Sequence, residues 1–263
     1  SCACVGAGVV EVGSAYNILG SSSWISFASN EPYFDDEMRT FNFVHLDSNL
    51  YTPTGTMQAA GYSYSWYRDM LCNEERRIAD KENKSVYQLI DAGVSRSKPG
   101  AGGMLYLPYL LGERSPRWNH KARGAFIGMT ISTTKDDFAR AILEGVGYNL
   151  KVILDIFDLR EPIKNMLLIG GGAKGEVWQQ ILADIWQKPL MIPEYLEEAT
   201  SIGAAVCAGV GIGAYSSFSA TKDFNRVVKT VYPNPENFAL YQRMYRAFNE
   251  AYYGIENTYE LLW

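Results

Sequence analysis

Across residues 135–159, Phe138, Ala141, Ile142, Val146, Leu150, Ile153 and Leu154 recur with the 3.6-residue period of an α-helix. Asp136 and Asp137 stand in its first turn, where the helix dipole favours negative charge. A helix this long extends roughly 35 Å at 1.5 Å per residue. Its apolar stripe cannot be hidden without a second layer, so the rest of the chain has to supply one.

The flanking sequence reads as that layer. Residues 166–169 form an apolar strand, 170–173 a glycine turn and 176–187 a helix. Residues 189–193 read as a short strand, 200–214 as a small-residue helix and 235–262 as a long amphipathic helix. Upstream, residues 14–30 alternate in the manner of two short strands joined by the hairpin Gly20-Ser21-Ser22-Ser23. Residues 39–51 carry further strand signal, and 58–71 have helical spacing with Ala59, Tyr62, Trp66 and Met70 near one face. The charge-crowded segment 73–84 reads as a solvated turn or frayed helix end, 85–93 as a short helix and 97–103 as a loop. Residues 104–111 are a buried-strand candidate running into the polar loop 112–120, and 125–129 another short strand. A block of strands followed by alternating helix and strand points to an α/β or α+β layer fold, and the absence of a solenoid-period repeat favours one domain.

Composition narrows the function classes. The chain has 263 residues, 47% apolar, with 24 Lys and Arg against 29 Asp and Glu. No basic run provides a phosphate-backbone footprint, so nucleic acid is not an expected partner. No stretch approaches the roughly 18 apolar residues that span a bilayer, and the N-terminus lacks a secretory pattern, so no membrane partner and a cytoplasmic location are expected. Cys2, Cys4, Cys72 and Cys207 follow no zinc or redox spacing and read as buried free thiols. His45 and His120 are the only histidines, with no nucleophile elbow, which leaves a hydrolase triad unsupported. The small, apolar start Ser1-Cys2-Ala3-Cys4-Val5-Gly6-Ala7-Gly8 looks like the inside of a helix or turn, and the chain reads as a fragment.

Two turns carry candidate chemistry. Gly170-Gly171-Gly172-Ala173 sits between a strand and a helix, where backbone N–H groups can hold a phosphate. It lacks the dinucleotide spacing, and the chain has no Gly-Lys-Ser/Thr phosphate loop, so locally a tight structural turn serves equally well. The Gly20–Ser23 hairpin offers N–H groups and hydroxyls without bulky side chains, although serine turns are usually only turns. Glu113 and Arg114 read as a charge pair near a site or as a solvated or inter-domain loop.

Together these pieces resemble the C-terminal domain of the FGGY carbohydrate kinases. Gly124, Phe126, Gly128, Met129, Asp137, Phe138, Ala141, Ile142, Leu143 and Glu144 fill the fixed positions of that family's signature, with seven residues between Met129 and Asp137. Val5-Gly6-Ala7-Gly8-Val9-Val10, the run from Leu107-Pro108-Tyr109 to Gly112-Glu113-Arg114-Ser115-Pro116, Leu143-Glu144-Gly145-Val146-Gly147-Tyr148 and the glycine turn look like the family in the family's order. The Leu-Pro-Tyr and Leu-Glu-Gly runs look most like xylulokinases, while Arg114-Ser115-Pro116-Arg117-Trp118-Asn119 with Ala122-Arg123-Gly124 is similar to gluconokinases.

The resemblance implies an α/β, ribonuclease H-like (actin-like ATPase) domain: a mixed sheet flanked by helices, spanning residues 1–263 as the nucleotide-binding half of a two-domain sugar kinase. The implied reaction is phosphorylation of a sugar hydroxyl by ATP with Mg2+, D-xylulose to D-xylulose 5-phosphate first, gluconate or another pentulose second. A non-catalytic actin-like module is the rival reading. Carried over by position, Gly20, Ser21 and Ser22 touch the phosphates, Gly61 opens the helix that approaches them, and Gly171, Gly172 and Ala173 lie against the adenosine. The family has Gly-Thr-Ser at the hairpin; Ser21 keeps the hydroxyl. The family's catalytic aspartate falls about two positions before Ser1, and the N-terminal sugar-binding domain is the expected partner, so the isolated chain is expected to be inactive. The aromatic stripe Tyr241, Met244, Tyr245, Phe248, Tyr252 and Tyr253 is available either to the core or to a second subunit in a homodimer.

Overall fold

A computed structural model describes residues 1–160 and 162–263. In chain order its elements are α1 (Cys2–Ala7), β1 (Ala15–Leu19), β2 (Ser23–Phe27), β3 (Phe41–Val44), β4 (Tyr51–Met57), α2 (Gly61–Leu71), α3 (Asn73–Glu82), α4 (Val86–Arg96), β5 (Leu105–Leu107), β6 (Ala125–Ile127) and α5 (Lys135–Asp158). They continue with β7 (Met166–Ile169), α6 (Glu176–Trp186), β8 (Leu190–Pro193), α7 (Ala199–Gly211), α8 (Thr221–Phe224), β9 (Val227–Val231) and α9 (Phe238–Leu261).

Seven strands form one sheet in the order β3-β4-β2-β1-β7-β8-β9, and β5 pairs with β6 separately. β1 runs parallel to β7 and β7 to β8, while β2 is antiparallel to both β1 and β4. β1, β4 and β7 therefore finish at the same edge of the sheet. Whatever follows Leu19, Met57 and Ile169 is gathered there, at the carboxyl ends of the strands, where open α/β sheets place their sites.

Both faces of the sheet are covered. On one, α5 buries Ile142, Val146, Leu150, Ile153 and Leu154, and α2, α6 and α9 complete the layer. On the other, α1 and α7 bury Ala3, Cys4, Ala7 and Ala199 against Tyr16 and Ile169. These two helices touch backbone to backbone: a Cβ on Gly6 would lie 1.6 Å from the Ala199 carbonyl oxygen. α5 begins with a reciprocal cap, in which Thr134 Oγ1 accepts from Asp137 N and Asp137 Oδ2 accepts from Thr134 N.

Several expectations change in three dimensions. Residues 73–84 contain a true helix, α3, with Glu74 and Glu75 in its first turn, Lys81 in its last and Arg77 paired to Glu74. Only Ala79 is buried, so helix-dipole complementarity and local ion pairs replace the apolar stripe that periodicity looks for. The strand signal over 39–51 resolves into β3 and, after a turn, β4, which runs on beyond the expected segment through residues 52–57. β9 leaves no apolar pattern in the sequence, because four of its five residues are exposed. The strand expected over 104–111 is confined to Leu105–Leu107. In α2 the buried face carries Ser63, Tyr64 and Tyr67, whereas Tyr62 and Met70 are exposed; aromatic residues surround this helix, and only packing selects its inner side. The C-terminal stripe is core: Tyr241, Met244, Phe248 and Tyr252 are buried, and Tyr253 alone of the six is largely exposed. Of the four thiols, Cys4 and Cys72 are buried and Cys2 and Cys207 only half-buried.

Candidate functional site

The hairpin between β1 and β2 is fixed from behind by the first residues of α2. Gly61 N donates to Gly20 O at 2.9 Å and Tyr62 N to Ser21 O at 3.0 Å. Gly20 N closes the turn on Ser22 O at 3.0 Å, while the Ser21 and Ser22 amides have no acceptor among the described residues. The carbonyls thus face α2, and two N–H groups remain for an outside partner. Gly61 must lack a side chain, since a Cβ there would sit 2.5 Å from the Gly20 carbonyl oxygen. Across the edge, Gly170-Gly171-Gly172 leaves β7 and leads into α6, again in contact with β1: a Cβ on Gly172 would meet Leu19 Cγ at 2.7 Å.

Between hairpin and turn lies a pocket of about 790 Å³. Gly20, Ser21, Gly61, Gly171 and Gly172 line it. Ser22 does not, and Ala173 is buried in the core beneath, its carbonyl accepting from Gln179 Nε2 at 2.7 Å. Gly61 contributes its surface and not its amide, which is already engaged by Gly20.

No pattern in the sequence marks the opposite wall. Tyr64, Tyr87 and Trp178 form an aromatic cluster, with Tyr64 5.2 Å from Tyr87 and 5.6 Å from Trp178 between ring centroids. Tyr64 donates to Asp91 Oδ1 at 2.5 Å, and burial pushes the Asp91 carboxyl above its ordinary value. Lys174 and Glu197 pair at the rim. These residues come from α2, α4, α6 and two turns, so no local motif announced them.

The volume lies within the usual ligand range of roughly 300–1,000 Å³, with an apolar wall facing an amide-rich rim. That pairing suits a flat apolar group joined to an anion. Among the described residues no group of three or more His, Cys, Asp or Glu is arranged to hold a metal.

Glu113 and Arg114 form no charge pair, and only Arg114 is exposed to solvent. Glu113 is 3% exposed and accepts from the Arg114 backbone N–H at 2.9 Å, while the Arg114 guanidinium lies over the Phe41 ring at 5.5 Å. His45 is a buried structural histidine, with Nε2 2.9 Å from Val9 O and Nδ1 accepting from Asp47 N. No helix of the described residues is long and apolar enough to cross a membrane.

The FGGY family of carbohydrate kinases, C-terminal domain, matches residues 15–212 of the chain. A xylulose kinase of Staphylococcus epidermidis is 34% identical over 256 residues, covering 96% of the chain and 49% of that protein. A gluconokinase of Bacillus licheniformis is 30% identical over 257 residues, 97% of the chain and 50% of that protein. The chain thus spans about half the length of the curated relatives it matches. The ligand-bound xylulose kinase structure from Lactobacillus acidophilus superposes with a TM-score of 0.88 at 23% identity, over 100% of the chain and 51% of that one. The fold is the actin-like, ribonuclease H-like one, and the chain belongs to the C-terminal domain of the FGGY family of carbohydrate kinases.

Proposed function

We propose that the chain is the nucleotide-binding half of an ATP-dependent sugar kinase, acting most directly on D-xylulose to give D-xylulose 5-phosphate. The single observation that carries this reading is the pocket between the Gly20 hairpin and the Gly171 turn, with the free amide of Ser21 on one side and Tyr64, Tyr87 and Trp178 on the other. In this reading the hairpin amides and hydroxyls hold phosphate oxygens, and the aromatic wall takes the base. Phosphoryl transfer depends chiefly on positioning and electrostatic stabilisation, and a rigid amide cradle supplies both.

Magnesium would enter on the nucleotide phosphates, as it commonly does, and supply charge neutralisation there. The general base on the sugar hydroxyl is assigned to an aspartate preceding Ser1, and most sugar contacts to an N-terminal domain. The chain alone is then expected to bind Mg-ATP without turnover.

D-xylulose stands ahead of gluconate because the xylulose kinase relative is 34% identical and the gluconokinase 30%. ADP release by the full-length kinase, measured with xylulose, ribulose, gluconate and glycerol, tests this. Xylulose giving the highest kcat/KM supports the reading. A gluconate optimum transfers the substrate assignment to the second reading. Mg-ATP binding without turnover on any sugar supports a non-catalytic module.

A further inference from the structure

The edge of the sheet beside the hairpin poses a hydrogen-bonding problem. Along β4, Tyr51 N donates to Ser29 O on the β2 side, so the N–H groups of Thr52, Thr54, Thr56 and Gln58 point toward β3. β3 starts at Phe41, paired with Thr54, and provides nothing opposite Thr56 or Gln58. Two partly buried backbone donors would be orphaned just before the chain turns into α2.

The polar loop after β5 replaces the missing strand with side chains. Thr56 N donates to Ser115 Oγ at 3.4 Å and Gln58 N to Glu113 Oε1 at 3.0 Å. Ser115 is itself tethered, its hydroxyl donating to the Arg39 carbonyl. The other Glu113 oxygen accepts from Asn149 Nδ2 of α5 at 2.9 Å, and Asn149 Oδ1 accepts from Tyr109 OH at 3.1 Å. Gln58 stands three residues before Gly61, whose N–H, with that of Tyr62, holds the hairpin carbonyls.

We propose that Glu113 is a positioning residue for nucleotide binding: by standing in for the absent β3 carbonyl at Gln58 and bracing it on Asn149, it sets where Gly61 meets Gly20. This rests on the nucleotide reading of the pocket. The carboxylate touches no ligand. It acts through one backbone N–H on the turn that fixes the hairpin.

The test uses the chain itself, with Mg-ATP affinity by calorimetry and residue-resolved amide hydrogen exchange. E113A is expected to weaken Mg-ATP binding about tenfold, as loss of one partly buried hydrogen bond would, and to speed exchange at Gly61 and Tyr62 but not at Leu168 in β7. The swap E113Q/N149D keeps an acceptor for Gln58, reverses the donor and acceptor at α5 and is expected to restore both readouts. Should E113A fail to fold, N149A serves, since it removes the brace on the second Glu113 oxygen and is expected to move both readouts the same way. Unchanged exchange at Gly61 and Tyr62, exchange rising uniformly through β7, or no rescue by the swap would overturn the proposal. If the unmodified chain binds no Mg-ATP, the nucleotide reading fails, and Glu113 then has no nucleotide-binding role.

Discussion

Single residues at the sheet edge carry more than their type suggests. Burial pushes the Glu113 carboxyl from its ordinary 4.5 up to about 7. Hydrogen bonds from the Arg114 and Gln58 backbones and Asn149, together with the Arg117 guanidinium, oppose the rise. Of the groups facing it, Arg117 stays charged, and burial pushes Tyr109 upward, so neither titrates alongside it. Between these two values the folded chain holds a proton that the unfolded chain has released, so stability is greatest below the window and falls as pH rises through it. The expected loss from pH 4.5 to 7 is about 3 kcal/mol, seen as a slope in urea-unfolding free energy that E113Q lacks. At Gly61 the constraint is steric. G61A drives a Cβ to 2.5 Å from the Gly20 carbonyl, and since both sides are backbone the hairpin itself has to move. The expected result is a stability loss of about 1–3 kcal/mol with Mg-ATP affinity lowered, measured by urea melts and calorimetry; an unchanged affinity would separate Gly61 from the nucleotide.

Elements in this protein are held by their ends as much as by their faces. α5 combines a reciprocal cap, Thr134 with Asp137, and a buried stripe that meets the sheet. T134A removes the side-chain acceptor for the Asp137 N–H and is expected to cost about 1 kcal/mol, read as a lower urea midpoint at constant m-value. α3 shows the opposite balance: it buries Ala79 alone and depends on Glu74, Glu75 and Lys81 at its ends. The same contrast explains the sequence reading. α5, α6 and α9 could be recognised because one-sided burial writes a 3.6-residue period, whereas α3 and β9 have little burial to write. α2 shows a further limit, because Tyr62, Tyr64, Trp66 and Tyr67 offer apolar surface on several sides, and its inner face is chosen by Tyr106 and the pocket wall.

Over the whole molecule, buried polar groups tie the layers together. Arg140 Nε donates to Glu144 Oε1 at 2.7 Å, and the same guanidinium reaches Val94 O, Ser97 O and Tyr241 OH, joining α4, α5 and α9. R140M strands the Glu144 carboxylate in the core and is expected to cost about 3–5 kcal/mol by chemical denaturation, with R140M/E144M recovering most of it. The loss should shrink toward pH 5, because burial already pushes the Glu144 carboxyl upward and without Arg140 it protonates sooner. By itself the sequence determined the alternation of strands and helices, the long α5 helix, the hairpin at Gly20 and the turn at Gly171, because two- and 3.6-residue periods and glycine-serine turns are local consequences of neighbouring residues. Only the tertiary structure decided that Tyr64, Tyr87 and Trp178 share a wall and that Glu113, 55 residues from Gln58 and 36 from Asn149, is the buried brace of a turn. Those relations exist only once β3 has stopped short and three distant segments have closed on the same edge, and no local period can record a contact between residues so far apart in the chain.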